Sequence, residues 1–195
     1  PKCPFGFRGA DEKTIISLRN CVDEKISPVA FERLREKFDV KIEPGVIAGV
    51  PGEEFTPRDG VSLKNKSRVL INLHGGAFVM GAKFGGKFES MPVASIGKIK
   101  VISVDYRQGP EYKFPAASED VTKVYKELLK TYDSEAIGIY GCSAGGKLTA
   151  QSLAWFQKEG LAMPGAVGMF CAAGASFPEG DSWYFNTTRG GSTPS

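Results

Sequence analysis

The clearest signal along the chain is a set of short apolar runs separated by longer stretches of mixed character. Residues 68–73 (RVLINL), 99–104 (IKVISV), 137–140 (IGIY) and 166–171 (AVGMFC) each read as a short buried strand. Between them the apolar period becomes helical, over residues 85–97, 116–131 and 144–158. In the second of these, Val121, Val124, Tyr125, Leu128 and Leu129 share one face. Apolar strands alternating with helices predict βαβ units, and so an α/β fold with a mostly parallel sheet and helices on both faces. Upstream, Val29, Phe31, Leu34 and Phe38 recur at helical spacing in residues 28–39, with Ser27 as the expected N-cap and Pro28 in the first turn. Residues 40–49 look extended but broken at Pro44-Gly45, and Pro51, Gly52, Pro57 and Asp59-Gly60 predict turns. The small, polar stretch 187–195 predicts an exposed tail. The pattern divides into a helical segment over 1–40, a core over 41–186, and a tail over 187–195 where processing is expected.

Composition narrows the class. The chain has 195 residues, 42% hydrophobic and 24% charged, which is ordinary for a globular domain with one core. The net charge of +3 is small and the cations are scattered among acids, which argues against a nucleic-acid binder. No apolar run is long enough to predict a membrane span, and no secretory signal is visible at Pro1. The cytoplasm is the favoured compartment, with export left open because the first residue is not Met. Cys3, Cys21, Cys142 and Cys171 match no metal spacing, so the expectation is four buried or free thiols, with nothing in the sequence to support a Cys3–Cys21 bridge. There is one histidine, His74.

The chemistry begins at Gly141-Cys142-Ser143-Ala144-Gly145. This Gly-x-Ser-x-Gly spacing follows a predicted strand and opens a predicted helix, the context of a nucleophile elbow. The turn is tight enough that side chains two positions either side of the serine would clash, which explains Gly141 and Gly145. Ser143 is the candidate nucleophile. A second motif, His74-Gly75-Gly76-Ala77-Phe78, follows the strand at 68–73. Acyl transfer develops a negative oxygen that backbone N–H groups can hold only where side chains are absent. The expected donors are Gly75, Gly76 and Ala144, and losing one such donor typically raises the barrier by about 3–4 kcal/mol. His74 precedes the serine, whereas the base of this architecture follows it, so His74 reads as loop support. Neither a metal nor an organic cofactor is needed.

Four pieces in order make the chain resemble the hormone-sensitive-lipase group of carboxylesterases, across residues 40–175. They are His74-Gly75-Gly76-Ala77-Phe78, then Asp105-Tyr106-Arg107 with Pro110-Glu111, then Phe114-Pro115-Ala116-Ala117 with Glu119-Asp120, then Ser143-Ala144-Gly145-Gly146. The resemblance implies an α/β-hydrolase fold, a small-molecule ester as substrate, and a cap over the acyl site built by residues before 40. It also implies that Asp105, Arg107 and Glu111 pair charges behind the oxyanion loop, and it leaves Phe78 as either pocket lining or core. The chain departs from the group at Cys142, where an acid is usual, at Lys147, where Asn is usual, and at Gln108-Gly109, where Leu-Ala is usual.

The resemblance also exposes a deficit. A serine hydroxyl needs a base to accept its proton. The group supplies a His oriented by an acid, both well after the serine. After Ser143 there is no histidine, and the only acids are Glu159, Glu179 and Asp181. The C-terminal strands and closing helix of the fold are therefore expected to be absent from this chain. The favoured expectation is a cleaved enzyme whose C-terminal remainder, as a second chain, brings the acid and the base. The alternatives are a sequence that stops early, and a non-catalytic relative that binds ligands without hydrolysing them.

Overall fold

The computed structural model describes Cys3 and residues 10–172. Six strands form one sheet in the order β1-β2-β4-β3-β5-β6. They are β1 (Val40–Ile47), β2 (Val50–Pro57), β3 (Val69–Leu73), β4 (Lys100–Val104), β5 (Ile137–Cys142) and β6 (Ala166–Phe170). The strands β4, β3, β5 and β6 run parallel, while β1 and β2 pair antiparallel with each other and β2 with β4. The crossovers are α3 (Gly85–Gly97), α4 (Ala116–Leu128) and α5 (Ala144–Lys158), preceded in the chain by α1 (Glu12–Cys21) and α2 (Ser27–Arg35).

Alternation along the strands feeds two cores. Val69, Ile71 and Leu73 of β3 pack with Val121, Val124 and Tyr125 of α4 and with Leu148 and Phe156 of α5. On the opposite face Phe55, Val101 and Tyr140 pack with Met91 and Ala94 of α3, joined by Phe31 and Leu34 of α2. Helices thus cover both faces, as the alternation of apolar strands and helices predicts. The chain leaves β3 toward one face and β5 toward the other, so the crossover direction reverses between these neighbours. In an open parallel sheet that reversal opens a crevice at the C-terminal strand ends, where sites form.

Three expectations are corrected. The turns predicted around Pro51 and Gly52 are instead the strand β2, whose partner β1 lies at the sheet edge and carries Pro44. Proline is tolerated where the ladder needs no N–H from it. Gly52 is required by crowding rather than turning, since a Cβ there would sit 2.6 Å from Ser103 O. The hairpin turns on Ala48 and Gly49, both at positive φ (50° and 80°), a mirror-type turn whose twist suits the strands. Secondly, Ser27 caps nothing: the helix begins at Glu12 and runs through a π-helical stretch, Val22–Ile26, directly into α2. The wider turn comes just before Pro28, which has no N–H to donate and would crowd an ordinary α-turn. Thirdly, Cys3 and Cys21 form a disulfide rather than remaining thiols. The tail 187–195 and the acids Glu179 and Asp181 lie outside the described residues.

Candidate active site

Ser143 stands between the end of β5 and the start of α5, at φ 56° and ψ −118°. A non-glycine residue at positive φ is held there by its surroundings. The glycines on either side show what holds it. A Cβ on Gly141 would lie 2.4 Å from Leu73 O, and one on Gly145 only 1.7 Å from the same atom. The turn therefore presses against the end of β3, and only hydrogen fits at both positions. The Ser143 N–H donates to Phe170 O at 2.9 Å, which ties the turn to β6. Ala144 begins α5, so its N–H has no partner within the helix.

The end of β3 delivers the second motif to the same place. A Cβ on Gly75 would come within 3.5 Å of Ser143 Cβ, so the loop passes directly beside the serine. Its conformation is unusual for three residues running, with Gly76, Ala77 and Phe78 at φ 122°, 55° and 60°. Consecutive N–H groups in such a turn make a concave, anion-favouring surface.

The expectation that the Gly75 N–H faces an oxyanion is not met. That N–H donates to Glu89 Oε1 at 2.8 Å. The N–H groups of Gly76 and Ala77 donate to nothing among the described residues. Glu89, on α3, also accepts from Asn72 Nδ2 at 2.8 Å. One carboxyl thus binds the end of β3 and the glycine loop. Burial pushes its pKa up, and the hydrogen bonds from Asn72 and Gly75 pull it down.

His74 is buried and 1% exposed. Its ring stacks on Tyr106 at 4.4 Å, and Nδ1 lies 2.8 Å from Gly75 O. A carbonyl only accepts, so Nδ1 carries the proton in this contact. The Tyr106 hydroxyl donates to His74 O at 2.6 Å. Burial lowers the His74 pKa from 6.5 to about 4, so the ring is neutral at physiological pH.

The charges behind the loop divide differently from the expectation for Asp105, Arg107 and Glu111. Arg107 donates to Asp120 Oδ2 at 2.8 Å and to Glu119 Oε2 at 3.0 Å, stiffening the junction between β4 and α4. Glu111 pairs with Arg19 of α1, at 2.8 and 2.9 Å. Arg19 also donates to Val79 O at 2.6 Å and Gly109 O at 2.5 Å, so α1 is fastened to the loop that follows the glycines. Asp105 makes no ion pair among the described residues; it lines a cavity of about 390 Å³ with Glu53, Lys83 and Lys87, and burial raises its pKa. Phe78 is partly buried and packs toward Tyr106. Among the described residues no three His, Cys, Asp or Glu side chains gather as a metal site, and no helix is long and apolar enough to cross a membrane.

A strained Gly-x-Ser-x-Gly turn at the reversal point of a mostly parallel sheet defines an α/β-hydrolase architecture. Residues 70–191 match the alpha/beta hydrolase fold family, and the chain belongs to it. It is 29% identical over 124 residues to the versiconal hemiacetal acetate esterase of Emericella nidulans, covering 64% of this chain and 42% of that enzyme. The crystal structure of esterase E25 superposes with a TM-score of 0.79 at 30% identity, over 91% of this chain and 54% of that one. An esterase from the bacterial hormone-sensitive lipase family gives 0.66 at 28% identity, over 82% of this chain and 51% of that one. The likeness is thus to hormone-sensitive-lipase-type carboxylesterases, and the chain spans about half the length of these relatives.

Proposed function

We propose that the protein hydrolyses a carboxylic ester through an acyl-serine intermediate, with Ser143 as nucleophile. The observation that carries this reading is Ser143 held at φ 56° on the strand-to-helix turn, directly beside the glycine loop. That placement lifts the hydroxyl above the sheet edge and points the start of α5 at the reaction centre. The hydroxyl attacks the ester carbonyl, and the oxygen that becomes negative is held by the N–H groups of Gly76, Ala77 and Ala144. Gly75 serves differently, as the group through which Glu89 fixes the loop. When the tetrahedral intermediate collapses, the alcohol leaves with a proton, and water then releases the acid.

The base cannot be His74. Its Nδ1–H is committed to Gly75 O, and its ring binds a proton only near pH 4. The sequence holds no other histidine. We therefore place the base and its orienting acid on a part of the hydrolase outside residues 1–195. The segment before residue 40 contributes to a cap over the acyl site, a role supported by the Arg19 bonds to Val79 and Gly109. A short acyl ester is the favoured substrate, in line with the acetate esterase among the relatives.

The test is p-nitrophenyl acetate turnover by the full assembly, with and without Ser143→Ala. Loss of turnover in the variant, to the rate without enzyme, supports the reading; unchanged turnover ends it. Mass spectrometry of the active protein tests this placement: polypeptide outside residues 1–195 that contains histidine is expected, and full activity from residues 1–195 alone contradicts it.

A further inference from the structure

Two thiols meet at the nucleophile turn. Cys142 is the last residue of β5 and immediately precedes Ser143; Cys171 directly follows β6. In the parallel register Cys142 pairs with Phe170, so Cys171 lies one step beyond its partner. Extended backbone would send the Cys171 side chain to the opposite face of the sheet. Instead Cys171 adopts φ 57°, which breaks the alternation and brings its sulfur to 2.7 Å from that of Cys142. Neighbouring strands lie about 4.8 Å apart, which puts two such residues inside the roughly 4.4–6.8 Å Cα window of a disulfide. Cys171 is exposed and Cys142 partly so, and both are free thiols, whereas Cys3 and Cys21 are already bonded to each other.

We propose that Cys142 and Cys171 form a modification site, a dithiol that a low-molecular-weight disulfide oxidises to a Cys142–Cys171 bond across the nucleophile turn. The Cys171 thiolate attacks one sulfur of glutathione disulfide and expels one glutathione thiolate. The Cys142 thiolate then attacks the Cys171 sulfur of the mixed disulfide and expels the second glutathione. Two protein thiols lose their protons and two electrons, and one glutathione disulfide becomes two glutathione thiols. Exchange begins at Cys171 because it is the exposed sulfur. The hydrogen bond to Cys171, with burial, holds the Cys142 thiol up at about 11. The new bond adds a covalent tie beside the hydrogen bond from Ser143 N–H to Phe170 O that already links the turn to β6.

The experiment incubates the purified protein with glutathione disulfide, quenches with N-ethylmaleimide, and maps tryptic peptides without reductant. Residues 131–147, which contain Cys142, and 159–189, which contain Cys171, are expected as one cross-linked species that dithiothreitol separates. In Cys142→Ser, Cys171 is expected to carry glutathione instead. Recovery of the two wild-type peptides unlinked, each bearing maleimide or glutathione, would overturn the proposal. The readout is a mass and not a rate, so it is decided independently of the esterase reading.

Discussion

At the scale of single residues, the site depends on backbone contacts that leave no room for substitution. Gly145→Ala would place a methyl 1.7 Å from Leu73 O, and neither backbone can move without disturbing Ser143. The expected loss is about 3 kcal/mol or more, read as a shift in urea midpoint; a variant as stable as wild type would mean that the turn is not packed as described. His74 makes a prediction about pH. Its pKa is about 4 folded and 6.5 unfolded, so between those values the unfolded chain binds the extra proton. Its contribution to stability is therefore intact above about pH 6.5 and declines as the pH falls toward 4, by up to about 3 kcal/mol. Urea unfolding of wild type and His74→Asn at pH 7 and pH 5 isolates this part, and the variant should show a shallower pH dependence. Glu89 is the residue that sequence reading missed. It lies 14 positions from Gly75 on a different element, and no local spacing announces a side chain that reaches back to a loop N–H. The motif at 74–78 shows that N–H donors are on offer, but only the fold shows that the first of them is taken. Glu89→Gln keeps the shape and loses an acceptor for one of the two donors, Asn72 and Gly75; it should lower kcat about tenfold or more with little change in KM, whereas a rise in KM alone would point to substrate contact instead.

At the scale of elements, legibility followed the strength of the hydrophobic period. The strands β3 to β6 and the helices α3 to α5 lie within three residues of where the apolar runs place them. The hairpin of β1 and β2 was hidden by Pro44, Pro51 and Gly52, residues that normally end strands and are tolerated here in an antiparallel edge. Its turn, Ala48-Gly49, lacks the Asn or Asp that usually marks one. α1 was hidden for another reason: Ile15, Leu18 and Val22 fall at helical spacing, but they are few among polar and charged neighbours, and Leu18 is the only buried residue of the helix. It is held instead by the Cys3–Cys21 bridge and by Arg19. Arg19→Ala should therefore speed hydrogen exchange across residues 12–26 and cost about 2 kcal/mol, since it removes half-buried, charge-assisted bonds to two carbonyls and Glu111. Unchanged exchange in that segment would show that the bridge alone suffices.

At the scale of the whole molecule, the sheet brings together two motifs 67 residues apart in sequence, from His74 to Gly141, because β3 and β5 are neighbours that depart to opposite faces. The edge beyond β5 has a different character. Val167, Met169 and Phe170 of β6 are 45%, 45% and 56% exposed, and among the described residues no strand pairs beyond β6, an apolar edge of the kind that invites pairing. The 195-residue chain produced by itself should self-associate in size-exclusion chromatography, and Met169→Lys should reduce this. Whether Ser143 is an activated nucleophile is read out by a fluorophosphonate probe. Incubated with the full assembly and followed by peptide mass spectrometry, the probe should phosphonylate Ser143 within residues 131–147, and prior heat denaturation should abolish labelling. An assembly that hydrolyses p-nitrophenyl acetate yet leaves Ser143 unlabelled would contradict the account.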